Sequence, residues 1–570
     1  MQSPPRFIPN PNFINGLEKH YIECEEEIEP ENSKFLTIHR VNNSKCVINL
    51  SKFPPGAIAV LHTLPPANTT ESINHLTLNK RMMMESNSHL KKILKNISLN
   101  DFNFVLFRCA EEDHVEINMG VYDIPRFGPF VYGGLQGIMS ILPKIREHND
   151  MGHPICDNLR QGNWLMEYIT ARLSKRESLA KLTQYLEEQF GYVKQMPRFL
   201  IPTNFEIVLS HVYDAIVQEI LGRFGADMAS GPSIVRHLCL ATVQFLGSNP
   251  YDKSRNLTLA AGLPHFSTGY MRTWGRDTFI ALTGCLLLTK RFEDAKFIIK
   301  RFGATLQNGL IPNLLGDEGV APRYNARDAV WFWLHSIKLY CEKTGSLDIL
   351  SESVDMDTRN GNKAEKKMIS QLMFEALNYH AMGCRFRERN AGSQIDSLMT
   401  SQGFDIEIGV NWDTGFVFGG NIHNCGTWMD KMGNSDQAGN RGIPATPRDG
   451  SAVELVGLCY AVVSWINSII GKPDGKKAFP YEKVERPQPM APITFGDWSK
   501  LIKENFDRWF FVPQSNYKEP YIQEHLVNRR GIYKVNWEYH QNSNFKHILF
   551  RILLDHHKDG VITNFVQILL

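Results

Sequence analysis

The chain has 570 residues, 43% hydrophobic and 21% charged, and its 62 lysines and arginines against 60 aspartates and glutamates leave a net charge of +2. That length supports two or more domains, each with its own core. No basic block is long enough to track a phosphate backbone and no apolar run is long enough to span a bilayer, so neither nucleic acid nor a membrane is an expected partner. Ten cysteines, spread from Cys24 to Cys459 without a C-x-x-C pair, predict reduced core residues rather than a zinc site or a disulfide framework. The start, Met1–Arg6, lacks the apolar core of a secretory signal. The expected location is therefore cytoplasmic, and the sequons at Asn68, Asn96 and Asn256 carry no weight.

In chain order, the first ~190 residues alternate short β-rich runs with turn clusters. Leu36–Val41, Val47–Leu50, Ala57–Leu61 and Phe104–Phe107 predict strands, with Pro54-Pro55 and Pro65-Pro66 as punctuation; Leu90–Leu99 predicts a short helix and Glu25–Glu27 a solvated charge run. Residues 1–195 are therefore expected to form a strand-rich mixed module. From about Pro202 the period becomes helical, predicting helices near Phe205–Phe224, Ser233–Leu246, Asp277–Leu288, Phe292–Gly303, Ala326–Glu342, Lys363–Arg387, Val453–Ile470 and Trp498–Phe511. The pattern stays helical beyond Phe511. The fold class is mainly α, and amphipathic helices with alternately short and long connections predict antiparallel hairpins, stacked as a solenoid or closed into a double ring.

Between the helices, Asn411–Asp449 reads as a loop, too rich in Gly and Asn for an element interior. Its Trp412, Asp413, Trp428 and Asp430 pair indole with carboxylate, as a sugar site requires; the alternative is rings packed under the loop and acids at the surface. His423 reads as a packing histidine. Three helix starts carry an arginine followed by an aspartate: Arg276-Asp277 after Trp274, Arg327-Asp328 between Tyr324 and Trp331, and Arg448-Asp449. Asp277 could equally be an N-cap. Asp328 and Trp331, three apart, share a helical face. If the helices form a ring, these starts converge at one polar, aromatic mouth. No metal-ligand spacing appears, and the Gly133-Gly134 and Gly419-Gly420 pairs are too short for a phosphate cradle, so no cofactor is expected.

The motifs Thr273–Phe279, Pro322–Asp328, Asn411–Phe416, Gly420–Gly433 and Arg529–Lys534 resemble the eukaryotic glycogen debranching enzyme family, in its C-terminal amylo-α-1,6-glucosidase half. The resemblance implies an (α/α)6 toroid over 203–534, preceded by the family's middle region, and hydrolysis of the α-1,6-linked glucose left at a branch of glycogen. It implies glycogen or a branched glucan as partner, with possible association with glycogen-metabolising proteins. The family's 4-α-glucanotransferase domain has no counterpart here. By motif Asp430 is the general acid, shielded by Trp428. Trp274, Tyr324, Trp331, Trp412 and Trp428 are substrate contacts; Arg276 and Arg327 donate to hydroxyls or hold acids; Asp277, Asp328 and Asp413 accept from hydroxyls. The alternative for each is an ion-pair lattice behind the site. The family's general base is a glutamate beyond the Arg529–Lys534 motif. Residues 535–570 depart from the family's pattern, and Glu538 stands in no such motif. The expectation is a toroid truncated at its C-terminal end and a poor enzyme. An inert glucan-binding product and a helical scaffold are the competing readings.

Overall fold

The computed structural model describes residues 37–42, 45–49, 87–108, 121–124, 128–131, 134–147, 154–162, 164–248, 257–259, 273–315, 322–358, 364–470, 479–514 and 529–537. These residues are mainly helical, and their strands pair only in sheets of two or three. The chain divides into two units, Met1–Pro232 and Ser233–Leu570.

In the first unit, the strands expected at Leu36–Val41 and Val47–Leu50 are Thr37–Asn42 and Lys45–Asn49, which pair antiparallel, while Ala57–Leu61 lies outside the described residues. The strand expected at Phe104–Phe107 is a π-type helical turn instead, continuing the helix Leu99–Asn103. The Ser98 hydroxyl caps that helix by accepting from the Asp101 N–H at 3.1 Å, and the four-residue apolar run fits either period. Helices Leu135–Glu147, Pro154–Gly162, Trp164–Leu173, Ala180–Lys194 and Ile201–Arg223 dominate the described part of this unit, which is not strand-rich. The last of them packs on three of the others, with Phe205 stacked on Phe190 at 5.6 Å. The division between the two units falls after Pro232.

The second unit carries α1 (Ser233–Thr242), α2 (Gly275–Leu282), α3 (Phe292–Gly303), α4 (Ala329–Thr344), α5 (Ile369–Met382), α6 (Val453–Ile470) and α7 (Phe495–Phe510). The helix expected over Lys363–Arg387 is shorter: α5 lies between strands Lys366–Met368 and Cys384–Arg387, and Gly383 at φ +78° ends it in a conformation other residues resist. Beyond Phe511 the described chain is not helical. Phe511–Val512 pairs with Ile532–Tyr533, and Asn536–Trp537 pairs with Ser451–Ala452 ahead of α6. Residues 535–537 thus belong to this unit, with Trp537 against Phe416 and Trp509; Glu538 lies outside the described residues.

One core holds the unit together, its largest members being Trp331, Trp333 and Trp498. The helix α6 has the length and apolarity to cross a bilayer, contrary to the expectation that no such run exists. It packs instead against α4 and α7, and its Glu454 is buried in an ion pair. Asn411–Phe416 is not open loop either: strands Asp405–Asn411 and Phe416–Gly419 form a hairpin whose turn contains Trp412 and Asp413.

Candidate active site

Helix α2 begins on Trp274, whose extended backbone makes it the N-cap, so Asp277 is a first-turn acid and not the cap. The Gly275 N–H donates to the Asn313 carbonyl at 2.6 Å, and the Arg276 N–H donates to the Asn313 side chain at 3.3 Å. These bonds fix the buried Arg276 guanidinium between two elements. Its Nε donates to Asp328 Oδ2 at 2.6 Å and its Nη1 to Asp430 Oδ2 at 2.9 Å. Asp328 is fully buried at the N-cap of α4, while Asp430 keeps 29% of its side chain exposed and pairs its other oxygen with Lys431 Nζ at 3.0 Å. Two helix starts and a loop therefore meet on one guanidinium. Burial opposes the charge of Arg276, but Asp328 first, then Asp430 and Asp277, outweigh it and raise its pKa. Asp277 is exposed on the first turn yet crowded by the cluster: desolvation lifts its carboxyl above the ordinary range against the pull of Arg276, and the charge of Asp430 adds to the rise.

The segment carrying Asp430 leaves the hairpin at Gly419 and returns at Gly450, where the two glycines exchange backbone bonds at 3.1 and 3.0 Å. Inside it, Lys431–Gly433 pairs with Gly442–Ala445, directly after Asp430. Behind it, Arg448 grips Glu454 through both Nη atoms at 2.5 Å and donates to Thr427 Oγ1 and the Val535 carbonyl. Arg448 was marked by its aspartate neighbour in the sequence, but nothing there singled out Glu454 or the role of Lys431.

The structure gathers Arg276, Asp277, Asp328 and Asp430 of the residues expected in the site, with Trp274 half-buried beside them at the start of α2. Trp428 is 45% exposed and lies two residues from Asp430, whose side chain is 29% exposed. The structure places the others in different surroundings. Trp331 is a core ring against His380 at 4.8 Å, and the Tyr324 hydroxyl donates to the Thr305 carbonyl at 2.5 Å. Trp412 packs on Trp498 at 5.3 Å, donates to the Ala381 carbonyl at 3.1 Å and has Arg486 over its ring. Trp412 and exposed Asp413 occupy the hairpin end opposite Gly419, about 13 Å away at roughly 3.4 Å per residue. Arg327 is fully buried and its guanidinium donates to the backbone carbonyls of Arg448 and Gly450, so it holds protein rather than presenting itself to a ligand.

Residues 3–173 match the family described as the central domain of human glycogen debranching enzyme. The chain is 36% identical over 556 residues to the glycogen debranching enzyme of Saccharomyces cerevisiae, covering 92% of this chain and about a third (34%) of that relative's length. Residues 240–557, which include the whole Arg276–Asp430 cluster and run on past Lys534, match the family described as amylo-alpha-1,6-glucosidase, and the chain belongs to that family.

Proposed function

We propose that this chain hydrolyses α-1,6-linked glucose at the branch points of a glycogen-type glucan, with Asp430 delivering the proton. The observation that carries the reading is the Arg276 cluster. The partly exposed Asp430 carboxylate lies two residues from the exposed Trp428, while Arg276 Nη2 and Asp328 Oδ1 are buried without a hydrogen-bond partner. Buried polar atoms normally find partners, and the hydroxyls of a glucan carry both the donors and the acceptors that suit such a cluster. In the inverting reaction water forms the new bond to the anomeric carbon as the bond to the branch oxygen breaks. Asp430 protonates that oxygen, and a second carboxylate takes the water's proton. Asp430 must first exchange its bonds to Arg276 and Lys431, which the incoming hydroxyls of the glucan can take over.

A second assignment is favoured by the raised pKa of Asp277. Here Asp277 holds the proton and Asp430 acts as the anion, since environments that push two carboxyls apart divide acid from base. α-Glucosyl fluoride separates the two, because fluoride leaves without an acid. If Asp430 is the donor, Asp430→Asn loses action on branched dextrin but keeps it on the fluoride. If Asp277 is the donor, Asp277→Asn shows that pattern. Absence of glucose release from an α-1,6-branched dextrin by the unmodified chain would contradict the activity itself.

We infer further that the helices of the second unit belong to a toroid of hairpins whose starts face one mouth. The support is the meeting of the α2 and α4 starts at the Arg276–Asp328 pair. A cytoplasmic location suits the free thiols of Cys156, Cys239, Cys285, Cys341, Cys384, Cys425 and Cys459. Association with other glycogen-metabolising proteins would follow from a shared glucan.

A further inference from the structure

Arg327 has the wrong surroundings for a residue that meets a sugar and the wrong partners for one that merely stabilises. Its guanidinium is buried, yet no carboxylate touches it: Nη1 donates to the Gly450 carbonyl at 2.9 Å, Nη2 to the Arg448 carbonyl, and Nε to nothing. Burial, and after it the neighbouring Arg448 charge, push the group down to about 10. A buried cation without a directly bound anion costs stability, and an apolar side chain of similar volume would be the more stable choice. What an arginine offers in exchange is a rigid planar fork that reaches two carbonyls at once.

The path of the side chain is equally specific. A Cβ on Gly419 would lie 3.0 Å from Arg327 Cδ, one on Gly420 3.5 Å from its Nε, and one on Gly426 3.5 Å from its Cγ. The stem runs through a slot of three glycines, and the Arg327 N–H donates to the Gly426 carbonyl at 2.9 Å. Gly419 and Gly450 are the neck at which the Asp430 segment leaves and rejoins the fold. Arg327 therefore touches both sides of the neck and, at Gly426, the segment itself four residues before Asp430. Its neighbour Asp328 orients Arg276, which holds Asp430 from the other side.

We propose that Arg327 is a positioning residue, a pin through the neck of the 420–450 segment that sets the place of Asp430 without meeting substrate. The proposal rests on Asp430 being in the active site, and the test separates the two. Amide exchange over 420–450 and over α6 is measured in the 570-residue chain, in Arg327→Lys and in Arg327→Gln, beside glucose release from a branched dextrin. The pin predicts exchange in the segment faster by about tenfold in both variants with α6 unchanged. It predicts kcat lower by about 10²-fold, the scale of a 1 Å misplacement, with KM held within about threefold. Millimolar methylguanidinium should restore part of kcat to Arg327→Gln.

Unchanged exchange over 420–450 would overturn the proposal. So would equal loosening of α6, or loss of a cooperative melt in both variants, because Arg327 would then hold the whole unit and not its neck. If the unmodified chain releases no glucose, the functional reading fails, and the exchange result alone still decides whether Arg327 pins the segment.

Discussion

Two tryptophan–aspartate pairs lie within twenty residues of each other, Trp412 with Asp413 and Trp428 with Asp430, and the fold uses them in opposite ways. Trp412 closes a hairpin turn and is wedged between Trp498 and Arg486, while Asp413 points from that turn with its backbone N–H taken by Asn411. Trp428 is exposed, and Asp430 is drawn to Arg276 by a contact spanning 154 positions of sequence. The composition of the two pairs is the same. What separates the two carboxylates is the partner each finds: Asp430 meets a guanidinium from a distant helix, whereas Asp413 stays in its own turn.

The comparison breaks most visibly at the ion pair behind Asp430. Asp328→Ala leaves Arg276 buried with one partner fewer, and removal of one member of a buried pair costs about 3–5 kcal/mol; denaturant unfolding measures it. Trp412→Ala should cost about 2–3 kcal/mol, somewhat under the usual range for a fully buried tryptophan because this ring is only half-buried, with glucan affinity unchanged. Trp428→Ala should do the reverse, with stability within about 0.5 kcal/mol of the parent and weaker glucan binding by titration calorimetry. A stable, weakly binding Trp412→Ala would exchange the roles assigned here.

Acid sharpens the contrast between core and mouth. Burial pushes His335 down to about 3 and His380 down to about 4, from an ordinary 6.5. The unfolded chain takes these protons first. Their contribution to stability is therefore complete above pH 6.5 and falls away as the pH drops towards 4. His335→Leu should flatten that limb in melts recorded between pH 7 and pH 4. The smallest effect is expected at Asp277, whose raised carboxyl has the opposite sign: its contribution is present below pH 3.8 and lost as the pH rises through the folded value. Asp277→Asn should raise the melting temperature slightly near pH 7, with the gain shrinking towards acid.

Much of the helical half was legible because period and punctuation agree there. Phe292–Gly303 and Val453–Ile470 are observed at the bounds their apolar spacing predicts. The failures have physical causes. Phe104–Phe107 is an apolar run too short to choose between periods, and Gly383 and the strands around α5 cut a helix that propensity alone would extend. At the site, Arg276, Asp328 and Asp430 could be nominated by residue type and motif, but not their bonds. Trp331, Tyr324 and Arg327 share those motifs and turn inward, because the neighbour of a helix start is often what buttresses it. Glu454 carried no signal at all, since its charge matters only where Arg448 folds back over it.

The most direct test of the account sets the two aspartates against each other in one assay of glucose release from an α-1,6-branched dextrin. Asp430→Asn should lose about 10²–10⁴-fold in kcat, the range of a general acid or base, while binding persists. Asp413→Asn, at the far end of the hairpin, should stay within about twofold. Equal activity of the Asp430→Asn protein and the parent, or a comparable loss in Asp413→Asn, would contradict the assignment of the Arg276 cluster as the active site.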